Sequence, residues 1–145
     1  MNDIRTPNSI QLDKELNENL AFGAIAYATS EKASAPVSSI FKNDGSYYSP
    51  DDGDLHPEFM IRLDTEYGLD TLLIREAISH GQRVTGIEAY ALVDNDWRLL
   101  FKRECVGNLL AEHFESIKTS VIKIKITSSL ATPMLCDFGA YKFKK

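Results

Sequence analysis

Apolar and polar side chains alternate with a period of two along most of the chain. Ile122, Ile124 and Ile126 interleave with Lys123, Lys125 and Thr127, which makes one side apolar and the other polar, the mark of a half-buried strand. Phe59, Ile61 and Leu63 alternate in the same way with Met60, Arg62 and Asp64. So do Ile87, Ala89, Ala91 and Val93 with Glu88, Tyr90, Leu92 and Asp94, and Trp97, Leu99 and Phe101 with Arg98, Leu100 and Lys102. Segments 24–30, 71–76 and 135–143 are further strand candidates, so at least seven short strands are expected. Trp97, on the side of Leu99 and Phe101, is expected in the core. Turn chemistry separates the strands. Asn43-Asp44-Gly45-Ser46, Asp51-Asp52-Gly53-Asp54 and Ser79-His80-Gly81-Gln82 are breaks, and Val93-Asp94-Asn95-Asp96-Trp97 reads as a hairpin. Strands and helices do not alternate regularly, which argues against a parallel α/β sheet. The pattern predicts an all-β antiparallel sandwich or barrel. Two segments have helical spacing: Leu12, Leu16 and Leu20 read as a weak helix or an irregular lead-in, and Leu110, Phe114 and Ile117 remain open between helix and strand. Each spans barely three turns and needs packing to be stable. The first residues read as a loose polar end.

Composition narrows the functional classes. At 145 residues the chain is long enough for one domain with a real core. The net charge is −5, from 16 basic and 21 acidic residues, whereas a protein that tracks phosphates needs a basic face; no nucleic-acid partner is expected. No apolar run approaches the ~20 residues that span a bilayer, so no membrane partner is expected either. The first nineteen residues have no apolar signal-peptide core, as a piece cut from a longer exported protein would also lack one. Cys105 and Cys136 allow one disulfide at most and no zinc pattern, and read as buried thiols.

Catalytic constellations fail. There is no nucleophile elbow, phosphate loop or dinucleotide fingerprint. His56, His80 and His113 lack the close spacing of helical metal ligands. Asp51, Asp52 and Asp54 form the densest acidic cluster, but an EF-hand starting at Asp51 would need glutamate where Arg62 stands; a solvated turn is the better reading. The aromatic pair Tyr47-Tyr48 follows a tight turn and precedes Pro50. A flat aromatic is a platform for the apolar C–H face of a pyranose ring, and neighbours in an extended segment face opposite ways. At most one of the two tyrosines is therefore a platform; both packed into the loop is the competing reading.

The string Leu72-Leu73-Ile74-Arg75-Glu76-Ala77-Ile78-Ser79-His80-Gly81-Gln82-Arg83-Val84 resembles the E-x-I-x-x-G-Q-R-V segment of the C-terminal discoidin-like domain of bacterial α-L-fucosidases. In the same order, Asn19-Leu20-Ala21 resembles that domain's N-L-A start and Ser46-Tyr47-Tyr48 its T-Y-W segment. Trp97 follows a turn as the family's Trp does, and Val106-Gly107-Asn108 resembles the I-G-x step. Segment 121–126 resembles the V-R-L-x-I strand, with Lys123 for the arginine. Ser128-Ser129-Leu130-Ala131-Thr132-Pro133 resembles the S-x-x-x-P turn, and Asp137-Phe138-Gly139-Ala140-Tyr141 the closing E-F-G-x-Y strand. The resemblance covers about residues 19–143 and leaves 1–18 as a loose N-terminal segment.

It implies a galactose-binding-like jelly roll of roughly eight strands, a non-catalytic accessory domain of a glycoside hydrolase. Such a domain binds galactose- or fucose-containing glycans at loops on one end. Alternatively it is purely structural, packing on the catalytic barrel of the same parent chain with no ligand of its own. The resemblance also implies a periplasmic or extracellular setting. Candidate carbohydrate contacts are Tyr47, Tyr48, His56, His80, Glu76 and Arg83. For Glu76 and Arg83 a structural reading is favoured: Glu76 accepting backbone amides across the 77–81 loop, and Arg83 forking onto a carboxylate. Many such sandwiches hold a structural calcium ion. Here Phe41 stands where the first aspartate would be, which leaves Asn43, Asp44, Ser46 and Asp137 as candidate donors, fewer than a hard cation wants.

Overall fold

A computed structural model describes residues 19–142 apart from Phe22 and Asn43. Segment 1–18, expected to be loose, with the helical reading of Leu12 and Leu16, lies outside the described residues, as does Phe143. The two-residue period becomes six antiparallel strands: β1 (Ile25–Ala28), β2 (Glu58–Glu76), β3 (Val84–Val93), β4 (Asp96–Arg103), β5 (Leu110–Ser129) and β6 (Leu135–Tyr141). Two short 3-10 turns, Val37–Phe41 and Ile78–His80, are the only helical elements among the described residues. The segment around Leu110, Phe114 and Ile117 is strand: residues 110–113 pair with 71–74 of β2, and that ladder satisfies the backbone.

The strand order is β1-β2-β5-β3-β4, with β6 on the other part of β2. β2 and β5, of 19 and 20 residues, each serve both layers. The early part of β2 and the late part of β5 sit among β1, β3 and β4, while the late part of β2 and the early part of β5 sit beside β6. Five strand segments therefore face three, a β-sandwich, and the expected eight segments come from six strands. The sequence pattern splits β2 at its polar middle. In the structure the chain stays extended there, and the β2–β5 register shifts between Arg62 and Tyr67 and again between Leu69 and Thr71. The second shift changes which parity points inward. Phe59, Ile61, Leu63 and Leu69 face the core before it, Leu72 and Ile74 after it. One β-bulge thus keeps a single long strand apolar-side-in across the corner.

The core joins both layers. Ile61, Ile122, Ile124 and Ile126 from the larger layer meet Leu72, Ile74, Leu135 and Phe138 from the smaller one, each buried side chain contributing about 1.5–3 kcal/mol. The β3–β4 hairpin closes as expected. Val93 pairs with Asp96, and Asp94 and Asn95 both take positive φ, 52° and 69°, the geometry of a two-residue type I′ turn.

The outward side of the larger layer is ordered in rows. Tyr27, Met60, Lys123, Tyr90 and Leu99 follow one another across the five segments. A second row runs Ile25, Arg62 and Val121, and continues with Leu92 beside Trp97. A third alternates charge: Glu58, Lys125, Glu88, Lys102. Trp97 is therefore not a core residue; it lies on this outward face and is 38% exposed. A register irregularity in the β3–β4 pair between Ala89 and Tyr90 puts Phe101 inside while Leu99 and Trp97 stay outside.

The cysteines also differ from expectation. Both are free; Cys105 is exposed in the β4–β5 connection, and only Cys136 is partly buried. Burial pushes the Cys136 thiol up, with the Asp137 carboxylate adding to it, and its Sγ lies 3.6 Å from the Glu76 carbonyl oxygen. Because the thiolate is the nucleophile, a water-soluble alkylating reagent at pH 8 is expected to label Cys105 at least about tenfold faster than Cys136, read by mass spectrometry of timed samples.

Candidate functional site

The loops at one end of the sandwich are tied together by a carboxylate at the end of β2. The Glu76 side chain is 2% exposed. One oxygen accepts the Arg83 N–H at 2.8 Å and the Val84 N–H at 3.1 Å, and the other accepts the Gly107 N–H at 2.9 Å. The backbone N–H of Glu76 itself donates to the Gly107 carbonyl. This single side chain closes the 77–83 loop on itself and pins the 104–109 connection beside it. A carboxylate with three amide donors satisfies its charge without solvent.

Arg83 adds a second tie. Its guanidinium donates to the Thr132 carbonyl at 2.8 Å and to the His80 carbonyl at 3.1 Å, so it forks onto backbone carbonyls and not onto a carboxylate. The Thr132 hydroxyl in turn accepts the Gly53 N–H at 3.0 Å. Ser49, fully buried, donates to the Pro133 carbonyl at 2.9 Å. Loops 49–54, 77–83 and 130–134 therefore form one fixed rim.

On that rim the structure brings together two of the expected contact residues. The Tyr47 and His80 rings lie 5.0 Å apart, centroid to centroid, tilted by 58°. Tyr47 is half-buried and His80 exposed. Neither the Tyr47 hydroxyl nor the His80 ring has a hydrogen-bond partner among the described residues. The pair joins an aromatic face to polar edges, the combination that recognises a ring with an apolar face and hydroxyl groups.

The other expected residues are placed differently. Tyr48 is fully buried, its ring against Phe59 and its hydroxyl donating to the Ser30 carbonyl at 2.8 Å. Its backbone pairs with Leu135, which turns it inward where Tyr47 turns outward. Burial and the carboxylates of Asp54, Glu31 and Asp51 push its phenol well above the usual tyrosine range. Tyr48 is thus part of the core and not a glycan contact. Glu76, buried with three backbone donors, is likewise a structural residue. Arg83 is a brace whose guanidinium is committed to two carbonyls. His56 is exposed, with its backbone N–H on the Asp54 carboxylate at 3.0 Å; no contact joins it to the Tyr47–His80 pair.

Among the described residues, the candidate calcium donors Asp44, Ser46 and Asp137 have other partners. Asn43 lies outside the described residues. The Asp44 carboxylate accepts both the hydroxyl and the N–H of Ser46 in an exposed turn, which holds its pKa below the usual carboxylate value. Asp137 lies on the outward side of the smaller layer, 3.5 Å from the Arg75 guanidinium. Asp44 and Ser46 serve one another, and Asp137 serves an arginine. The three described donors fall short of the six to eight oxygens a hard cation wants.

Sequence reasoning missed the Tyr47–His80 contact because 33 positions separate the two in the chain; only the antiparallel return of β6 beside β2 brings their loops together. The signal that was legible was the turn chemistry that put both at loop tips.

No family model matches the chain. It is 24% identical over 107 residues to a protein assigned as an α-L-fucosidase in Oryza sativa subsp. japonica, a match covering 74% of this chain and 21% of that protein. The crystal structure of a protein assigned as an α-L-fucosidase from Bacteroides thetaiotaomicron superposes with a TM-score of 0.84 at 24% identity, covering 90% of this chain and 30% of that one. The family 32 carbohydrate-binding module of C. perfringens NanJ, solved with galactose, superposes with a TM-score of 0.74 at 19% identity, covering 82% of this chain and 93% of the module. The chain thus spans less than a third of the fucosidases it matches and nearly the whole of the binding module. The fold is the galactose-binding-like β-sandwich, which the fucosidases carry as one domain.

Glu76→Gln keeps the shape of the side chain but replaces one acceptor oxygen with a donor, and so opposes at least one buried backbone N–H. It is expected to lower the free energy of unfolding by about 1–3 kcal/mol, read by urea denaturation of the 145-residue chain.

Proposed function

We propose that this chain is a non-catalytic accessory module of a glycoside hydrolase resembling α-L-fucosidase, and that its rim binds galactose- or fucose-containing glycans. One observation carries the reading: Tyr47 and His80 meet at the outer end of a rim whose backbone is already fixed. A preformed rim spends little binding energy on ordering loops. Tyr47 supplies a face for the apolar side of a pyranose, and the Tyr47 hydroxyl and His80 ring nitrogens supply partners for its hydroxyl groups. The similarity to a binding module solved with galactose, and to one domain of the fucosidases, supports the same reading. In this role the module holds a catalytic domain of the parent chain close to its glycan, raising the local substrate concentration as a second binding element does. The parent protein then works in the periplasm or outside the cell.

The test is a titration of the 145-residue chain with galactose, fucose and their short oligosaccharides, followed by amide NMR. Shifts are expected at millimolar sugar in residues 46–48 and 78–83. Tyr47→Ala and His80→Ala are each expected to weaken binding about tenfold, a loss of about 1.4 kcal/mol, with the melting temperature unchanged; Tyr47→Phe keeps most of the affinity. An unshifted rim at these concentrations overturns the reading.

A further inference from the structure

The outward face of the larger layer carries chemistry that the rim reading does not use. Tyr27 on β1 and Trp97 on β4 lie at opposite edges of this layer, with the β2, β5 and β3 segments between them. Yet both line the same two adjoining grooves, of about 320 and 290 Å³, with Met60 between them. The sheet therefore curls toward this side, and the two edge strands form aromatic walls over a floor of side chains. Tyr27 is 55% exposed and Met60 40%.

The charge on this face is unbalanced. In the row that alternates sign, Lys125 lies 3.9 Å from Glu58 and Lys102 lies 3.6 Å from Glu88. In the two apolar rows, Arg62 and Lys123 have no carboxylate partner among the described residues. The Lys123 ammonium instead rests over Trp97, 4.3 Å from the ring centroid, and 5.3 Å from that of Tyr90, a cation–π arrangement. Lys123 and Arg62, with no carboxylate in ion-pair contact among the described residues, stand in aromatic grooves whose lining also includes the lysine-paired Glu58, on a chain of net charge −5.

We propose that this concave face is a second glycan-binding groove, separate from the rim, and that it takes an oligosaccharide bearing anionic groups, carboxylate or sulfate. The aromatic walls receive the apolar faces of the sugar rings, while Lys123 and Arg62 receive the anions. The groove favours a sugar chain over an extended peptide. Its floor is side chains, because the strands beneath already spend their backbone groups on ladder hydrogen bonds, so a peptide would bury amides with nothing to pair with. A sugar ring laid on an aromatic face keeps its hydroxyls at the ring edge, where water and the Lys123 and Arg62 side chains can pair with them.

The experiment titrates the 145-residue chain with an oligogalacturonate, with a sulfated heparin oligosaccharide, and with a neutral oligosaccharide of equal length. Chemical shifts of the Trp97 indole N–H and of the Tyr27 and Lys123 amides are followed. At least one anionic ligand is expected to shift them at submillimolar concentration, at least about tenfold more tightly than the neutral one, and which of the two does so identifies the anion. Raising the salt weakens the binding, as it does for exposed charges. Trp97→Ala loses binding at least about tenfold and Trp97→Phe keeps most of it; Arg62→Gln with Lys123→Gln removes the preference for the anion. Tyr47→Ala leaves this binding unchanged, so failure here and failure at the rim are told apart. Absence of shifts with both anionic ligands at millimolar concentration, equal affinity for the neutral chain, anion-induced shifts confined to the rim, or concentration-dependent self-association through this face each overturns the proposal.

Discussion

A carboxylate held away from water must be surrounded by donors, and in this protein the donors are backbone. Glu76 takes its hydrogen bonds from Arg83, Val84 and Gly107; two of these lie across the loop that follows it and one lies in a connection 31 residues away. The direction of cause matters. The loop does not carry the glutamate; the glutamate sets the loop's shape, because removing any one donor leaves the charge short of a partner in a site that excludes solvent. Arg83 then extends the order outward, since its backbone position is set by Glu76 and its side chain grips His80 and Thr132. The ring of His80 stands where it does through two successive polar ties, neither of which touches the ring.

Glu76 itself is placed by a backbone irregularity. β2 enters the corner with odd-numbered residues inward and leaves it with even-numbered residues inward. Without the register shift between Leu69 and Thr71, Leu72, Ile74 and Glu76 would all point outward, because the period of a strand is two and a one-residue slip exchanges its faces. The same shift leaves Thr71, Leu73 and Arg75 on the outside of the smaller layer. There Leu73 is buried with Tyr141, and Arg75 meets Asp137.

Much of this was legible in the sequence, and the boundary is physical. Strict alternation fixes which residues share a face, so the inward isoleucines of β5 and the hairpin at Asp94-Asn95 could be read directly. Alternation does not say which face is the inside when both carry apolar residues. On β4 the side of Trp97 and Leu99 looks like core from the pattern, but an irregularity in pairing turns Phe101 inward and leaves the other two outside. The length of β2 was hidden because its middle is polar, and a polar stretch reads as a loop unless the neighbouring strand is known. Tyr47 and Tyr48 show the useful limit. Period two predicts that one faces out and one faces in; only the bridge from Tyr48 to Leu135 decides which.

The two surfaces differ in how their geometry is maintained, and this bears on what each can recognise. The rim is made of loops, and its order depends on a few buried polar ties around Glu76, Arg83 and Ser49. Such ties hold the backbone closely but offer few side chains to a ligand, here one tyrosine and one histidine. On the proposed reading, that suits a single terminal sugar. The concave face is made of paired strands whose side chains project at fixed intervals of about 4.8 Å from strand to strand, so its contacts repeat across the sheet. A repeating surface with aromatic walls and cations between them matches a ligand that itself repeats. The contrast comes from the backbone: loops present points and sheets present rows, and a chain of sugar rings bearing regularly placed anions is a row.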